Sequence, residues 1–363
     1  MPTLRLDRTF WRNRRVFVTG HTGFMGGWLC VWLTRLGAQV AGYALPPATR
    51  PNLFETVALG DRMCSMIADV RDLERLTAAI KDFAPEIVMH LAAQPLVGQA
   101  HAAPVETFAI NVMGTVNLLQ AIRHCADVAA AIVVTTDKVY ENREWPWGYR
   151  ETDTLGGHEP YSSSKACAEF AVDAYRQSYF VDKRKLGIAT VRAGNIIGGG
   201  DWAANRLVPD AMRAFGARRP LAIRNPGSVR PWQHVVDPVR GYLALAERLV
   251  NAPDEWSGAW NFGPAEADSW PVAQVADEVA RLWGEDARWI KPVAAANGAA
   301  SVAKETGQLV LSSAKARAEL GWTPVWRIQR ALAATVDWYK AQIAGRDMHA
   351  YTLNQIAVAE GAN

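Results

Sequence analysis

Tyr161-Ser162-Ser163-Ser164-Lys165 sets a phenol and an ammonium four residues apart, so on a helix the two share one face. An ammonium held beside a phenol stabilises the phenolate and brings a pKa of about 10 toward working pH. Such a tyrosine can take the proton of a hydroxyl group while a hydride leaves the same carbon. Upstream, Thr136-Asp137-Lys138 lines up a hydroxyl, a carboxyl and an amine directly after the apolar run Ala131-Ile132-Val133-Val134-Thr135. A third constellation, Gly20-His21-Thr22-Gly23-Phe24-Met25-Gly26, follows the β-branched run Val16-Phe17-Val18-Thr19. Gly20 permits a tight turn, Gly23 lets the backbone approach a pyrophosphate, and Gly26 lets a helix pack closely on a sheet. The free N–H groups at that helix start would face the anion.

These groups need a frame, and the chain alternates short β-branched runs with helical stretches from residue 15 onward. Strands are predicted at 16–19, 39–44, 66–68, 87–91, 131–135 and 188–192, with helices at 24–36, 72–83, 104–125 and 160–180. The pattern predicts an α/β protein, a doubly wound Rossmann parallel sheet whose ligands sit at the carboxyl ends of its strands. Beyond Asn195 glycine, proline and tryptophan become dense, which predicts a smaller C-terminal α/β substrate domain. The expected division is 10–195 with about 235–262 for the dinucleotide, 196–234 with 263–345 for the substrate, and a tail at 346–363 without clear signal.

Composition narrows the function further. The 363 residues are 50% apolar and 21% charged, so a packed core is expected and disorder is not. A net charge of +3, from 39 basic and 36 acidic residues, is too small and too mixed for a dedicated nucleic-acid or membrane surface. No apolar run reaches about 18 residues, so no membrane span is expected. Cys30, Cys64, Cys125 and Cys167 are scattered without a CxxC pair and read as reduced core residues of a cytoplasmic protein. Arg5, Arg8, Arg12, Arg14 and Arg15 read as a solvated lead-in. His21 and His234 have no partner at metal-ligand spacing, and no metal is expected. The second strand runs into Tyr43-Ala44-Leu45 with no acid for a ribose 2′-hydroxyl, and Arg50 is the nearest base, which leaves NAD against NADP open. Asp69-Val70, after the third strand, is placed to meet an adenine.

With the glycine turn and the tyrosine–lysine pair both in place, the chain resembles the extended short-chain dehydrogenases/reductases from residue 10 to about 345. Within that superfamily, simple ketoreductases and 4-epimerases carry a Ser or Thr at the fifth strand without a flanking acid/base pair, and other nucleotide-sugar 4,6-dehydratases carry Thr-Asp-Glu or Thr-Ser-Glu. The Asp-Lys version, followed by Tyr140-Glu141-Asn142-Arg143-Glu144-Trp145, resembles the CDP-glucose 4,6-dehydratase group. So do Ala92-Ala93-Gln94-Pro95-Leu96-Val97, Arg192-Ala193-Gly194-Asn195-Ile196-Ile197-Gly198-Gly199-Gly200-Asp201-Trp202 and Arg230-Pro231-Trp232-Gln233-His234-Val235.

The resemblance implies NAD as cofactor, a CDP-hexose as substrate and a homodimer paired through the helices at 104–125 and 160–180. It implies that Tyr161 deprotonates the C4 hydroxyl beside an oxidised nicotinamide, that Lys138 removes the C5 proton and that Asp137 protonates the departing C6 hydroxyl. Thr136 then bonds the C4 oxygen, and Lys165 supports Tyr161. Gly20, Gly23, Phe24, Met25, Gly26, Asp69, Val70, Leu91, Ala92, Ala93, Asn111 and Thr135 fall at cofactor positions. Gln94, Asn195, Arg206, Leu207 and Arg230 fall at substrate positions, the arginines suited to a diphosphate by their bidentate geometry. Two departures stand out: Gly98-Gln99-Ala100-His101 replaces the group's Arg with Ser and Tyr beyond it, and Met25 and Gly27 replace Lys and Ser. A dehydratase of another nucleotide hexose would share all these motifs. A nucleotide-sugar 4-epimerase would share Tyr161 and Lys165 but has no use for Asp137 and Lys138. A dinucleotide-sensing regulator would keep only the glycine turn.

Overall fold

The computed structural model describes residues 4–180, 186–292 and 307–361. Its strands are β1 (Arg15–Thr19), β2 (Gln39–Ala44), β3 (Cys64–Ile67), β4 (Ile87–His90), β5 (Ala130–Val134), β6 (Gly187–Ala193), β7 (Asn195–Ile197), β8 (Leu221–Ala222), β9 (Val229–His234), β10 (Gly258–Phe262), β11 (Ser269–Pro271) and β12 (Trp289–Ile290). Seven of them form one parallel sheet in the order β10-β6-β5-β4-β1-β2-β3. Both faces are covered: on β1, Val16 and Val18 enter one apolar cluster and Phe17 the other, and on β4 Ile87 and Met89 are split from Val88 in the same way. That two-sided burial is why these strands read as unbroken apolar runs. The order reverses between β1 and β4, which opens a crevice at their carboxyl ends where open α/β sheets bind ligands.

The helices that bear on the site are α1 (Phe24–Arg35), α2 (Leu73–Phe83), α3 (Pro104–Arg123) and α4 (Pro160–Tyr175), followed by α5 (Leu207–Gly216), α6 (Val236–Asn251), α7 (Val272–Trp283), α8 (Ile328–Ile343) and α9 (Met348–Gly361). Two of these starts are capped by side chains. Asp72 caps α2 by accepting from Arg75 N at 3.0 Å. Glu159 caps α4 by accepting from the N–H groups of Tyr161 and Ser162, both at 2.7 Å, while Pro160 occupies the first turn. α3 contains a π turn at Ala109–Met113, and α4 runs on into another at Arg176–Phe180. By length and composition α3 is apolar enough to cross a bilayer. Leu118, Leu119 and Ile122 on its inner face lie in the core beneath the sheet and account for that character.

β7, β9 and β11 form a smaller sheet in the order β11-β9-β7, with β8 and β12 as a separate parallel pair. β10 returns to the large sheet beside β6, and α6 packs on β5 and β6.

Three expectations are corrected. The arginine-rich lead-in is docked: Asp7 caps a short helix, Arg8–Trp11, and the fully buried Trp11 donates its indole N–H to Glu247 Oε1 at 2.6 Å. Arg14 pairs with Glu86 at 2.6 Å, and Arg15 Nε donates to the Ala84 carbonyl. Of the four cysteines, Cys30 and Cys125 are buried but Cys64 and Cys167 are exposed. The tail is a helix: α9 packs on α1 and α8, and its Glu360 accepts from Trp32, Arg35 and Arg8.

The glycine turn is the tightest backbone contact that bears on the site. A Cβ on Gly26 would lie 2.2 Å from the Gly20 carbonyl oxygen, a backbone atom with no room to yield. Gly26→Ala should therefore cost about 1–3 kcal/mol of stability in chemical denaturation; an unchanged midpoint would mean that α1 shifts freely.

Candidate active site

The crevice between β1 and β4 is floored by backbone. Gly20 sits at φ +77, and a Cβ there would lie 2.6 Å from Ala92 N. Gly23 precedes α1 with no side-chain cap, so the first N–H groups of α1 stay open toward the crevice. A cradle that side chains would fill, at a helix start, fits a dinucleotide pyrophosphate. The far wall is held by Thr19, whose hydroxyl accepts from Leu91 N at 3.2 Å and Ala92 N at 3.1 Å and bonds His90 Nδ1 at 2.7 Å. His90 also meets Thr115 Oγ1, and burial pulls its pKa down to about 3, so it is a neutral strut. Phe24 reaches Gly198, and Met25 packs on the core beside it.

The remaining cofactor-side residues sort by what they touch. Asn111, in the π turn of α3, accepts from Gln94 N at 2.8 Å and donates to Gln94 O and to Ser164 Oγ, which ties the β4 end to α4. π turns of this kind recur at functional sites. The side chain of Gln94, expected toward the substrate, turns instead into its own loop: it accepts from Leu96 N and donates to Leu96 O and Thr107. Asp69 already accepts from Arg71 N and its guanidinium, which holds the carboxyl below its ordinary range, so only its spare lone pairs are free for an adenine. Val70 packs over Gly114. His21 lies buried over Gly42, bonded to Ser65 at 2.7 Å, and burial lowers its pKa to about 4.

At the carboxyl end of β5 the reactive groups converge. Lys165 is buried and donates Nζ to the Val134 carbonyl at 3.0 Å. Burial draws its pKa down to about 8, against the opposing pull of Glu169. Tyr161, one turn earlier, is buried with its hydroxyl near that of Thr136; burial pushes its pKa up to about 12, with the Thr136 hydroxyl and the charge of Arg206 acting the other way. Asp137 is buried, with Oδ1 on Thr136 at 3.1 Å and Oδ2 without a partner. Burial raises its pKa, opposed by Lys138, the Thr136 bond and Arg230, which is the direction a proton donor requires. Lys138 is exposed, its Nζ 5.9 Å from the centre of the Tyr161 ring.

Asn195 opens β7 beside Trp232, and Leu207 opens α5 directly after Arg206. Arg206 pairs with Asp201 at 3.0 Å and lies within electrostatic reach of Tyr161. Arg230 is buried, donates to Val229 O at 2.8 Å, and faces Asp137. The two arginines thus approach the triplet from the smaller sheet's side. The departing stretch at 98–101 lies on a short helix, Val97–Ala102, whose Gly98, Gln99 and His101 are exposed while Ala100 is buried. Among the described residues no group of three or more His, Cys, Asp or Glu side chains is placed to hold a metal ion.

Sequence reasoning missed one buried hub. Thr135 donates not into the crevice but to Glu169 Oε1 at 2.5 Å, and Glu169 also takes Thr190 and a two-pronged contact from Arg192. The signal was present: Tyr161, Lys165 and Glu169 repeat at four-residue spacing on α4.

The NAD dependent epimerase/dehydratase family matches residues 16–263. The chain belongs to this family. It is 48% identical over 347 residues to a CDP-glucose 4,6-dehydratase of Salmonella typhimurium, covering 94% of this chain and 95% of that protein. It is 26% identical to a dTDP-glucose 4,6-dehydratase of Xanthomonas campestris, covering 89% of this chain and 92% of that one. Among solved structures, a UDP-glucose 4-epimerase of Thermus thermophilus in complex with NAD superposes with a TM-score of 0.76 at 26% identity, covering 90% of this chain and 99% of that one. The doubly wound fold is therefore shared across dehydratases and epimerases, and the residues around β5 have to separate them.

The buried Lys165 has a sign that can be tested. Its pKa is lower folded (about 8) than unfolded, so between pH 8 and 10 the unfolded chain binds more protons and stability rises with pH. The stability of the wild type relative to Lys165→Met should climb by up to about 3 kcal/mol over that interval and stay flat below it. A gap independent of pH would show that Lys165 titrates normally.

Proposed function

We propose that this chain is a NAD-dependent nucleotide-sugar 4,6-dehydratase that converts CDP-glucose to CDP-4-keto-6-deoxyglucose with loss of one water. The observation that carries this reading is the placement of Asp137 and Lys138 beside Tyr161 at the carboxyl end of β5. An acid and a base next to the site of C4 oxidation serve an elimination and are idle in an epimerisation. The cytidine assignment is supported by the 48% identity to the Salmonella enzyme over nearly the whole chain.

NAD, held across the Gly20–Gly26 turn and the end of β4, supplies the hydride acceptor and donor. Tyr161 takes the C4 hydroxyl proton, and the Thr136 hydroxyl steadies the C4 oxygen. The resulting ketone acidifies C5, and Lys138 removes the C5 proton. Asp137, whose pKa burial raises, passes its proton to the departing C6 hydroxyl, which leaves as water; the C5=C6 bond left behind would take the stored hydride at C6 and a proton back at C5 from Lys138. Arg206 and Arg230 hold the diphosphate, which would draw Arg206 from Asp201. The exposed Lys138 is then covered by the sugar itself, which strengthens every charge interaction around it.

Given CDP-glucose, UDP-glucose and dTDP-glucose in deuterated water, the enzyme should release water from CDP-glucose fastest and incorporate deuterium at C5. Lys138→Ala should lower dehydration by roughly 100-fold or more while leaving NAD binding intact, since general base catalysis is worth about that much. Full turnover in that variant would remove Lys138 from the mechanism, and an isomer of unchanged mass would make the protein an epimerase.

The functional unit is a cytoplasmic homodimer. α3 and α4 pack side by side and leave large apolar groups on the surface: Val105 is 83% exposed and Phe170 59%, with Met113 and Phe108 also exposed. A second copy, applied by a two-fold axis, covers this face. Sedimentation should show a dimer for the wild type and a monomer for Val105→Glu with Phe170→Glu; a monomeric wild type would refute the pairing.

A further inference from the structure

The Glu169 carboxylate is buried and accepts at both oxygens from two strands: Thr135 at 2.5 Å on Oε1 and Thr190 at 2.6 Å on Oε2, with Arg192 Nε at 2.8 Å and Nη2 at 2.9 Å. Arg192 is also buried, and its remaining nitrogen, Nη1, donates to Tyr140 Oη at 2.7 Å and to the Glu151 carbonyl. Tyr140 lies two residues beyond Lys138, and its hydroxyl donates to Asn261 Oδ1 on β10 at 2.8 Å. Its ring lies under the Arg192 guanidinium at 4.9 Å and stacks on Tyr149, which stacks in turn on Trp145. One carboxylate therefore joins α4 to β6 and to Thr135 just before the turn that carries the acid and the base, and one guanidinium extends the connection to Tyr140 just after it.

We infer that the Glu169–Arg192 ion pair is the positioning device of the site: it fixes the Tyr161–Lys165 helix against the Thr136–Lys138 turn and sets the buried counter-charge one helical turn beyond Lys165. Neither residue touches the reacting atoms. A buried, fully bonded pair of this kind contributes little net stability compared with an apolar replacement, so its value lies in the geometry it imposes. The groups that face Lys165 leave Glu169 as the carboxylate that matters. β4 contributes His90, kept neutral by burial; β5 contributes the Val134 carbonyl; α4 contributes Tyr161 and Glu169; Arg192 on β6 stands behind Glu169. Glu169 alone among these pulls the lysine toward its charged form.

The inference rests on the dehydratase reading for its rate measurement, and the lysine titration described next does not depend on it. Glu169→Gln keeps the shape and removes the charge. Its Lys165 titration midpoint, followed by NMR on isotope-labelled lysine and assigned by its loss in Lys165→Met, should fall by about one pH unit. With CDP-glucose, kcat should fall roughly 10–100-fold while KM stays within about twofold, because misplacement of reacting groups is felt in the chemical step. If Glu169→Gln does not fold, Glu169→Gln with Arg192→Met buries no unpaired charge and should show the same loss in kcat with a smaller fall in the midpoint. A folded variant with an unmoved midpoint and kcat within twofold of the wild type would overturn the inference. If the wild type itself leaves CDP-glucose unchanged, the substrate reading fails, and the lysine midpoint still decides the role of Glu169.

Discussion

A single hydrogen bond, from the buried Lys165 ammonium to the Val134 carbonyl at 3.0 Å, is the contact on which the geometry of the site turns. A buried cation with one backbone acceptor is costly unless a counter-charge stands near, and Glu169 is that charge. With Lys165 anchored at the last residue of β5, the helix above it can point only one way. Tyr161 is carried over Thr136, two residues beyond Val134, and the cap by Glu159 fixes the first turn so that the tyrosine cannot fray. The acid of the triplet is then buried next to the phenol, and the base is left at the open side where a sugar would arrive.

The second constraint is backbone against backbone. Gly20 abuts Ala92 and Gly26 abuts Gly20, so the crevice at the reversal of strand order is shaped by atoms that cannot move aside. The buried Thr19 hydroxyl, tied to His90, Leu91 and Ala92, holds the opposite wall. Cofactor positions and proton-transfer positions are thus set by different devices: the first by missing side chains, the second by a buried ion pair and a capped helix. One fold can host different chemistries because function lives in the site carried on it.

Much of this was legible in the chain. Two-sided burial produces unbroken apolar runs, so six of the seven strands of the large sheet could be read within a residue or two, β10 being missed, and the glycine turn and the four-residue spacing of Tyr161 and Lys165 are local patterns. What escaped was long-range. Trp11 and Glu247 are 236 positions apart, so nothing local shows that the arginine-rich start is docked. α9 hides because its inner face mixes Thr352, Gln355 and Ala359 with Ile356, which gives little apolar contrast between its faces. The inward turn of Gln94 follows from the needs of its own loop for donors and acceptors, and Thr135 was drawn to Glu169 by a partner 34 residues away.

The account stands or falls on one atom's path. If oxidation at C4 and reduction at C6 occur in one site, with the same hydride stored between them, hydrogen from C4 must end on C6. CDP-glucose carrying deuterium at C4, turned over in ordinary water and examined by NMR and mass spectrometry, tests this directly. The account predicts a 4-keto-6-deoxy sugar, lighter by one water, with the deuterium on the C6 methyl group of the same molecule. Recovery of an isomeric CDP-hexose with deuterium still at C4 would contradict it.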